Sequence, residues 1–452
     1  MATINGTSGA DALAGLDSDD LIMALDGDDS VDISTKKGAD TVWAGNGNDQ
    51  VDAIGNKSDL LIGLGEGNDI FFADADTLGD NTIFAAGGDD EVQIAGKGDN
   101  TVYTGTGNDS VFLGSGATGD NTIGLGSGND LVAGAADGNF TIFAADGDDS
   151  IELGNGNNEV YGGAGLDTIV VGNGDNVIYT ADGNDSVAAG TGSNEIGLGA
   201  GDDEVTVTGA VAGTTNTVYG GAGFDTVGIT AVGKATVTVY GGDKDDIITV
   251  AGNTGADVVG GGDDDDIIIL TGGGSDTVYG GTGDDTIQVA TALTPSKDSG
   301  AAEVYGGAGN DLIDVTISAG SSGDTFTFSV FGGDGNDTID ATGDAYGAKI
   351  DGGAGNDLIG GSATGAQTLT GGAGNDTFEF VNTGISVNDA DTTIKDFKAG
   401  DVLDLNGAFA SQADLNAAAS EANGNVTITF GNAELVLEGV KEADLILGAN
   451  VL

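Results

Sequence analysis

The sequence contains no cysteine and no histidine among its 452 residues. A disulfide framework and thiolate metal sites are therefore excluded. Without imidazole or thiol groups, the chain also lacks the commonest general bases, nucleophiles and zinc ligands. Carboxylates are abundant, but none is set apart from the surrounding pattern as an acid–base pair. We therefore expect a protein that is not an enzyme.

Positive charge is scarce, because only 11 basic residues, all of them lysines, stand against 74 acidic ones, giving a net charge of −63. Such a charge repels nucleic acid and anionic membrane surfaces, so neither is an expected partner. No stretch approaches the length of a transmembrane helix, and the first residues lack the basic and apolar regions of a cleavable signal peptide. The partner that this charge favours is a cation.

Proline occurs once, whereas glycine occurs 87 times and recurs in a fixed pattern. The repeated unit is Gly-Gly-x-Gly-x-Asp-x-U-x, where U is apolar. Its fullest copies begin at Gly220, Gly306 and Gly371. One copy would be weak evidence, but many copies in register are specific.

This unit resembles the RTX (hemolysin-type) calcium-binding nonapeptide repeat, over roughly residues 2–380. The resemblance implies an all-β fold, a parallel β-roll (RTX β-solenoid) of about 19 coils, in which two nonapeptides form one coil and several Ca²⁺ ions are bound. Physically, glycine permits left-handed turns, aspartate supplies a hard oxygen ligand, and the short strand buries U.

Aspartates of every second repeat form one predicted edge of the roll, in steps of about 18 to 22 residues for most coils. The residues two positions later, which include Val31, Val51 and Ile267, are apolar and predict an interior column. The calcium ligands expected on this edge are Asp11, Asp29, Asp49, Asp69, Asp90, Asp109, Asp130, Asp149, Asp167, Asp185, Asp203, Asp225, Asp246, Asp265, Asp285, Asp311, Asp337, Asp357 and Asp376.

The intervening repeats differ, because asparagine replaces aspartate over the middle of the second edge. Asparagine keeps the turn-forming side chain but lacks the charge that makes a strong Ca²⁺ ligand. We therefore expect the second edge to be poor in calcium in its middle, with amide side chains pairing there. The ligands expected on it are Asp20, Asp40, Asp59, Asp257 and Asp276, and the amides are Asn81, Asn100, Asn121, Asn158, Asn176, Asn194 and Asn216.

Charge repulsion predicts that the roll depends on its cations. Carboxylates stacked about 5 Å apart repel by roughly 3 kcal/mol per pair at an effective dielectric constant of 20.

Some segments depart from the repeat pattern. Phe140 stands where a ligand is expected, with Asn139 one residue out of register, and the segments Val289–Ala302 and Asp314–Val330 exceed one repeat, so we expect loops there.

After residue 380 the repeat stops, which predicts two domains, a calcium-binding β-roll at 1–380 and a C-terminal cap and secretion signal at 381–452. Ile394-Lys-Asp-Phe397 followed by Asp401-Val-Leu-Asp-Leu405 resembles the terminal segment of serralysin-like RTX proteins. That resemblance implies export by an ABC-type (type I) secretion apparatus and an extracellular or cell-surface location. Ser411 is expected to cap a helix through Glu421, before strands 425–430 and 433–437.

Two functions remain open from these patterns. The first is a structural protein that associates with itself through calcium as a surface layer (S-layer) or an extracellular filament or matrix. The second is a Ca²⁺-dependent adhesin that recognises a surface, a glycan or ice, for which the evenly spaced Thr82, Thr101, Thr122 and Thr141 could form a flat ladder.

Overall fold

The computed structural model describes residues 2–292, 301–318, 327–343, 348–363, 366–380, 392–430 and 433–452. The chain divides into two compact units, the first formed by Met1–Ala210 with Asn216–Gly221 and the second by Val211–Thr215 with Ala222–Leu452. The fold is an all-β parallel β-solenoid of about 17 turns, against the about 19 coils expected. In the described residues, no helix is both long and apolar enough to span a membrane.

In the first unit, each coil contributes one strand to each of two parallel sheets. The first sheet contains Ala2–Asn5, Asp20–Asp26, Thr41–Asn46, Leu61–Glu66, Thr82–Gly87, Thr101–Thr106, Asp120–Ser127, Asn139–Asp146, Glu159–Ala164, Val177–Asp182 and Glu195–Ala200, and Thr215–Ala222 lies at the unit boundary. The second sheet contains Ala12–Ala14, Ser30–Asp32, Gln50–Asp52, Ile70–Phe72, Glu91–Ile94, Ser110–Leu113, Leu131–Ala133, Ser150–Glu152, Thr168–Val171, Ser186–Ala189 and Glu204–Val211.

The second unit repeats this arrangement with longer strands in its second sheet. Its first sheet contains Thr236–Asp243, Asp257–Asp263, Thr277–Thr282, Ala301–Ala308, Thr327–Asp334, Ala348–Ala354, Gln367–Ala373 and Thr392–Ile394. Its second sheet contains Thr226–Gly233, Ile247–Asn253, Ile267–Gly272, Thr286–Ala292, Leu312–Ser318, Thr338–Gly343, Leu358–Ala363, Thr377–Glu379 and Val402–Asp404. The strands run to Ala292 and Ser318, and the rest of the expected loops, 293–300 and 319–326, lies outside the described residues.

The core of each unit is a file of aliphatic side chains that face inward from both sheets. Val51, Ile83 and Ile287 are fully buried, and burying a side chain of this kind contributes about 1.5–3 kcal/mol. The predicted interior column is confirmed at the positions from Val31 to Phe378 except one. Ile267 is 40% exposed, and the adjacent Ile268 is buried in its place.

The C-terminal residues begin as further coils of the second unit. Thr392–Ile394 pairs in parallel with Gln367–Ala373, and Ala419–Ala422, Asn425–Phe430 and Ala433–Glu438 then form an antiparallel meander. Ser411 caps the helix as predicted, and its hydroxyl accepts from the backbone of Asp414. The helix is shorter than expected, Gln412–Ala418, because the next residues pair as a strand with Asn425–Phe430.

Candidate metal sites

In both units, the turn that joins the first sheet to the second ends in an aspartate whose side chain faces inward. We call these residues the inner aspartate column. Within each unit, the backbone N–H of one member donates to Oδ1 of the member one coil later, at 2.7–3.2 Å. The members are Asp11, Asp29, Asp49, Asp69, Asp90, Asp109, Asp130, Asp149, Asp167, Asp185 and Asp203 in the first unit and Asp225, Asp246, Asp266, Asp285, Asp311, Asp337, Asp357, Asp376 and Asp401 in the second.

The second carboxylate oxygen of the inner column is buried without a hydrogen-bond donor in coils of both units. Oδ2 atoms in this condition include those of Asp49, Asp90 and Asp149 in the first unit and those of Asp246 and Asp285 in the second. An unpartnered buried carboxylate oxygen costs several kcal/mol unless it is neutralised. A bound proton or a cation is therefore needed to neutralise these oxygens.

Protonation is the response of these carboxylates when no cation is present. Burial raises the pKa of Asp69, Asp90, Asp149, Asp246 and Asp285 to about 7, and neighbouring aspartates of the column act in the same direction. Hydrogen bonds from the backbone oppose this rise but do not cancel it. The column is thus poised to exchange protons for positive ions near neutral pH.

Oxygen donors converge beside the column in the second unit, where each nonapeptide begins with glycine. A β-carbon built on Gly280 would lie 2.3 Å from Oδ2 of Asp285 and 2.4 Å from the carbonyl oxygen of Gly306, one coil later. The same arrangement surrounds Gly332, beside Asp337. Carboxylate and carbonyl oxygens are the donors that Ca²⁺ prefers, so these residues fit the ion.

Through much of the first unit, side chains fill this space instead, although Gly162 leaves it open beside Oδ2 of Asp167. The position equivalent to Gly280 is taken by side chains such as Ala44, Leu64 and Ala144, all fully buried. Thr104 also stands there, and its hydroxyl donates to the carbonyl oxygen of Leu125 at 2.7 Å. The second unit therefore places glycine beside its inner aspartates, where the first unit mostly has larger side chains. Among the described residues, no three acidic side chains converge, so a bound ion would also need backbone carbonyl ligands.

The second edge carries a ladder of amides where the sequence has asparagine. Nδ2 of Asn81 donates to Oδ1 of Asn100 at 2.8 Å, and Asn100 donates likewise to Asn121 at 3.0 Å. A second run links Asn158, Asn176, Asn194 and Asn216. Phe140 interrupts the edge as predicted, buried between the two runs, and Asn139 is exposed. Asp20, Asp40, Asp257 and Asp276 are buried at other positions of this edge.

Two of the predicted ligands lie one residue away from the inward-facing positions. Asp59 and Asp265 are exposed, and the inward positions belong to Leu60 and Asp266. Both belong to outer ladders, in which a side-chain oxygen accepts the backbone N–H of the next coil, from Asp80 to Asp59 at 2.9 Å and from Asp284 to Asp265 at 2.6 Å.

The inner column also has a member that the repeat pattern does not predict. Asp401 follows Asp376 in the ladder, and Leu403, two residues later, is buried like Val31 and Phe378 at other U positions. The spacing Asp-x-Leu was the available signal, but it lies after the last recognisable glycine turn.

Comparison with known proteins supports the same assignment of the repeats. The profile of the RTX calcium-binding nonapeptide repeat (4 copies) matches residues 3–31, 32–53, 94–118, 136–169, 170–205, 213–227, 270–288, 298–315, 329–346 and 362–379, more than half of the chain. No curated protein matches the chain.

Seven chains of solved structures match as well. One is an extracellular lipase from Serratia marcescens, which is 18% identical with a TM-score of 0.16. The match covers 48% of this chain and 40% of the lipase, so the chain spans less than half of that protein. From the matched repeats and the aspartate column, we conclude that this chain belongs to the RTX calcium-binding nonapeptide repeat family, whose repeats bind multiple Ca²⁺ ions.

Proposed function

We propose that the protein is a secreted structural protein that assembles with copies of itself, through calcium, into a surface layer, extracellular filament or matrix. RTX repeats are mostly structural, non-enzymatic domains, and proteins that carry them are typically secreted. Export would use an ABC-type secretion apparatus. Within the chain, we assign the calcium ions to the inner aspartate column, including its members Asp266 and Asp401.

The observation that carries the proposal is an outer surface on which aromatic side chains recur in one-coil steps, with glycine at the same position in coils such as those of Gly63 and Gly124. Aromatic side chains stand on the outer face of the first sheet in register, and Phe143 and Tyr161 stack with ring centroids 5.1 Å apart. Tyr279 and Tyr305 stack at the same distance in the second unit. Trp43, Tyr103 and Phe143 remain 45–46% exposed. A surface with a one-coil period matches an identical surface at many points at once, which favours association between copies.

Acidic outer ladders explain why this association would need calcium. Outward carboxylates such as Asp28 and Asp148 recur along the turns, and they would repel the same ladder on another copy. Divalent ions between two such ladders would replace repulsion with attraction. Calcium would thus act at two levels, inside each coil and between chains.

The assembly test compares the full-length protein with and without calcium. Light scattering and electron microscopy should show ordered assemblies in millimolar calcium and their loss on chelation. Replacing the exposed Tyr103, Phe143 and Tyr179 by serine should weaken assembly and leave calcium binding unchanged. A chain that stays monomeric in millimolar calcium while fully folded would overturn the proposal.

A calcium-dependent adhesin for a surface, a glycan or ice is the second candidate, and one observation favours it. Thr82, Thr101, Thr122 and Thr141 are successive cross-strand neighbours on the outer face of the first sheet. Such an evenly spaced threonine file suits a regular solid ligand. Thermal hysteresis or glycan binding by the monomeric protein, abolished by changing these threonines to tyrosine, would favour this function over self-assembly.

A further inference from the structure

The inner aspartate column changes at its C-terminal end, between Asp376 and Asp401. Oδ2 of Asp376 accepts a hydrogen bond from Nζ of Lys398 at 3.1 Å. The same ammonium donates to the carbonyl oxygen of Gly372 at 2.7 Å and lies 3.5 Å from Oδ1 of Asp401. One lysine therefore meets oxygens from three residues, matching the three donors of an ammonium group.

These oxygens are of the types that a divalent ion would meet at the other junctions. One is an inner-column Oδ2, one is Oδ1 of the next column member, and one is a carbonyl of the glycine turn. From this match we infer that the Lys398 ammonium takes the place of a calcium ion at the last junction of the inner column. The inference rests on the proposed assignment of calcium to that column.

The residues around Lys398 hold it at this point. Both carboxylate oxygens of Asp396 accept backbone N–H groups, from Gly371 at 2.9 Å and Gly372 at 2.7 Å. Phe397 packs on Phe378, with ring centroids 6.2 Å apart. Asp396 and Phe397 thus fix the turn that delivers the lysine, and the built-in positive charge neutralises a carboxylate that is itself fully buried.

The inference predicts how many calcium ions the chain takes up. In Lys398→Ala, the ammonium is gone and the oxygens around Asp376 are free to bind a metal, so the variant should bind one calcium ion more than the wild type. Native mass spectrometry of the full 43.9 kDa chain resolves such a difference. Lys398→Arg, which keeps a positive charge there, should bind the wild-type number.

Lys395→Ala is the matched control. Lys395 lies three residues earlier on the same segment, but its ammonium pairs with Glu438 at 2.8 Å, away from the column. It should leave the calcium count unchanged. If Lys398→Ala fails to fold, Lys398→Gln carries the same comparison without a charge.

A second measurement separates a cation position from a merely structural contact. The wild type and Lys398→Ala should differ in Tm most strongly at low calcium, and saturating calcium should close the gap. Two results for Lys398→Ala would overturn this inference and leave the calcium assignment of the column intact. One is a calcium count equal to that of the wild type, and the other is a deficit in Tm that calcium does not reduce. A wild-type chain that takes up no calcium would overturn the assignment of the column as well.

Discussion

At the residue scale, the first position of the nonapeptide decides how much room lies beside each inner carboxylate. Gly280 leaves a space bounded by Oδ2 of Asp285 and the Gly306 carbonyl, whereas Ala144 fills the equivalent space with its own methyl group. The same aspartate column thus offers an open oxygen cradle in the second unit and a closed apolar one through much of the first. We expect calcium affinity to follow this difference.

Gly280→Ala tests the cradle. The new β-carbon would lie within 2.4 Å of two oxygen atoms, closer than carbon and oxygen tolerate, so Asp285 or the next coil must shift. Overpacking of this kind costs about 1–3 kcal/mol, and the displaced oxygens should also weaken calcium binding. Calorimetric calcium titration and thermal unfolding measure both effects.

Gly9→Ala is the control for that substitution. A β-carbon added to Gly9 would have no other atom within 4 Å, so the same chemical change meets no neighbour. Wild-type calcium binding and Tm are expected for it. A Gly280→Ala protein that behaves like Gly9→Ala would show that the space beside Asp285 is not a ligand cradle.

The raised pKa values of the column predict that protons can replace calcium in part. In the unfolded chain these carboxyls have their ordinary pKa near 3.8, whereas burial raises the pKa of Asp69, Asp149 and Asp285 to about 7. The folded state therefore binds more protons between these values. The calcium-free fold should gain stability as the pH falls from 8 to 5 and lose it as the pH rises through about 7.

This pH dependence is measured on protein freed of metal and transferred into metal-free buffers. Circular dichroism and Tm at successive pH values should show more β-structure at pH 5 than at pH 8. With saturating calcium the dependence should flatten, and calcium binding near pH 7 should release protons. Metal-free protein whose stability increases from pH 5 to pH 8 would contradict the prediction.

Individual residues also show where sequence reasoning succeeds. The nonapeptide repeat predicts the position of nearly every inner aspartate, because an apolar residue two positions later fixes the register of the aspartate. It failed in the run Asp263–Asp266, where adjacent aspartates precede Ile267 and Ile268 and either register satisfies the pattern. Only packing decides that Ile268 faces inward. The role of Lys398 was equally out of reach, since it depends on a fold contact with Asp376 across 22 residues.

At the element scale, the buried polar side chains of the two edges differ in how they form hydrogen bonds between coils. Most carboxylates in the inner column leave Oδ2 without a donor, whereas within each run of the ladder an amide donates to the amide of the next coil. Amide ladders in the first unit therefore hold successive coils together without an ion. The sequence alone therefore distinguishes the two edges, because one edge has asparagine where the other has aspartate.

Asn176→Asp tests this division of labour. The change removes the Nδ2 donor to Oδ1 of Asn194, which is 2.9 Å away, and introduces a buried carboxylate beside that oxygen. A loss of about 1–3 kcal/mol in unfolding free energy is expected. We expect that added calcium does not restore this stability, because Asn194 and the turn carbonyls would not complete a calcium site.

Asn157→Asp provides the comparison for the ladder. Asn157 is exposed, and its Oδ1 accepts the backbone N–H of Asp175, a role that a carboxylate can also perform. Denaturant unfolding should place this variant within about 0.5 kcal/mol of the wild type. Equal stability of Asn157→Asp and Asn176→Asp would show that the Nδ2 hydrogen bond of the amide ladder contributes nothing to the unfolding free energy.

At the scale of the whole molecule, the net charge of −63 leads us to expect that the fold depends on calcium above about pH 7. Chelation would remove the calcium ions that we assign to the inner column, and repulsion between the buried carboxylates would then oppose folding. Circular dichroism at pH 8 should lose its β-sheet signal in EDTA and regain it in excess calcium. Retention of the native spectrum and Tm in EDTA at that pH would contradict the mechanism.

The aromatic file gives the first unit a feature that experiments can exploit. Trp43, the single tryptophan of the chain, lies with its ring over Gly63 of the next strand, where even a β-carbon would approach the ring to 2.3 Å. Trp43 is 46% exposed, so its fluorescence depends on whether these two strands stay paired. Opening of the coils would shift its emission to longer wavelengths, and the protein therefore carries its own optical probe of coil closure, with no label needed.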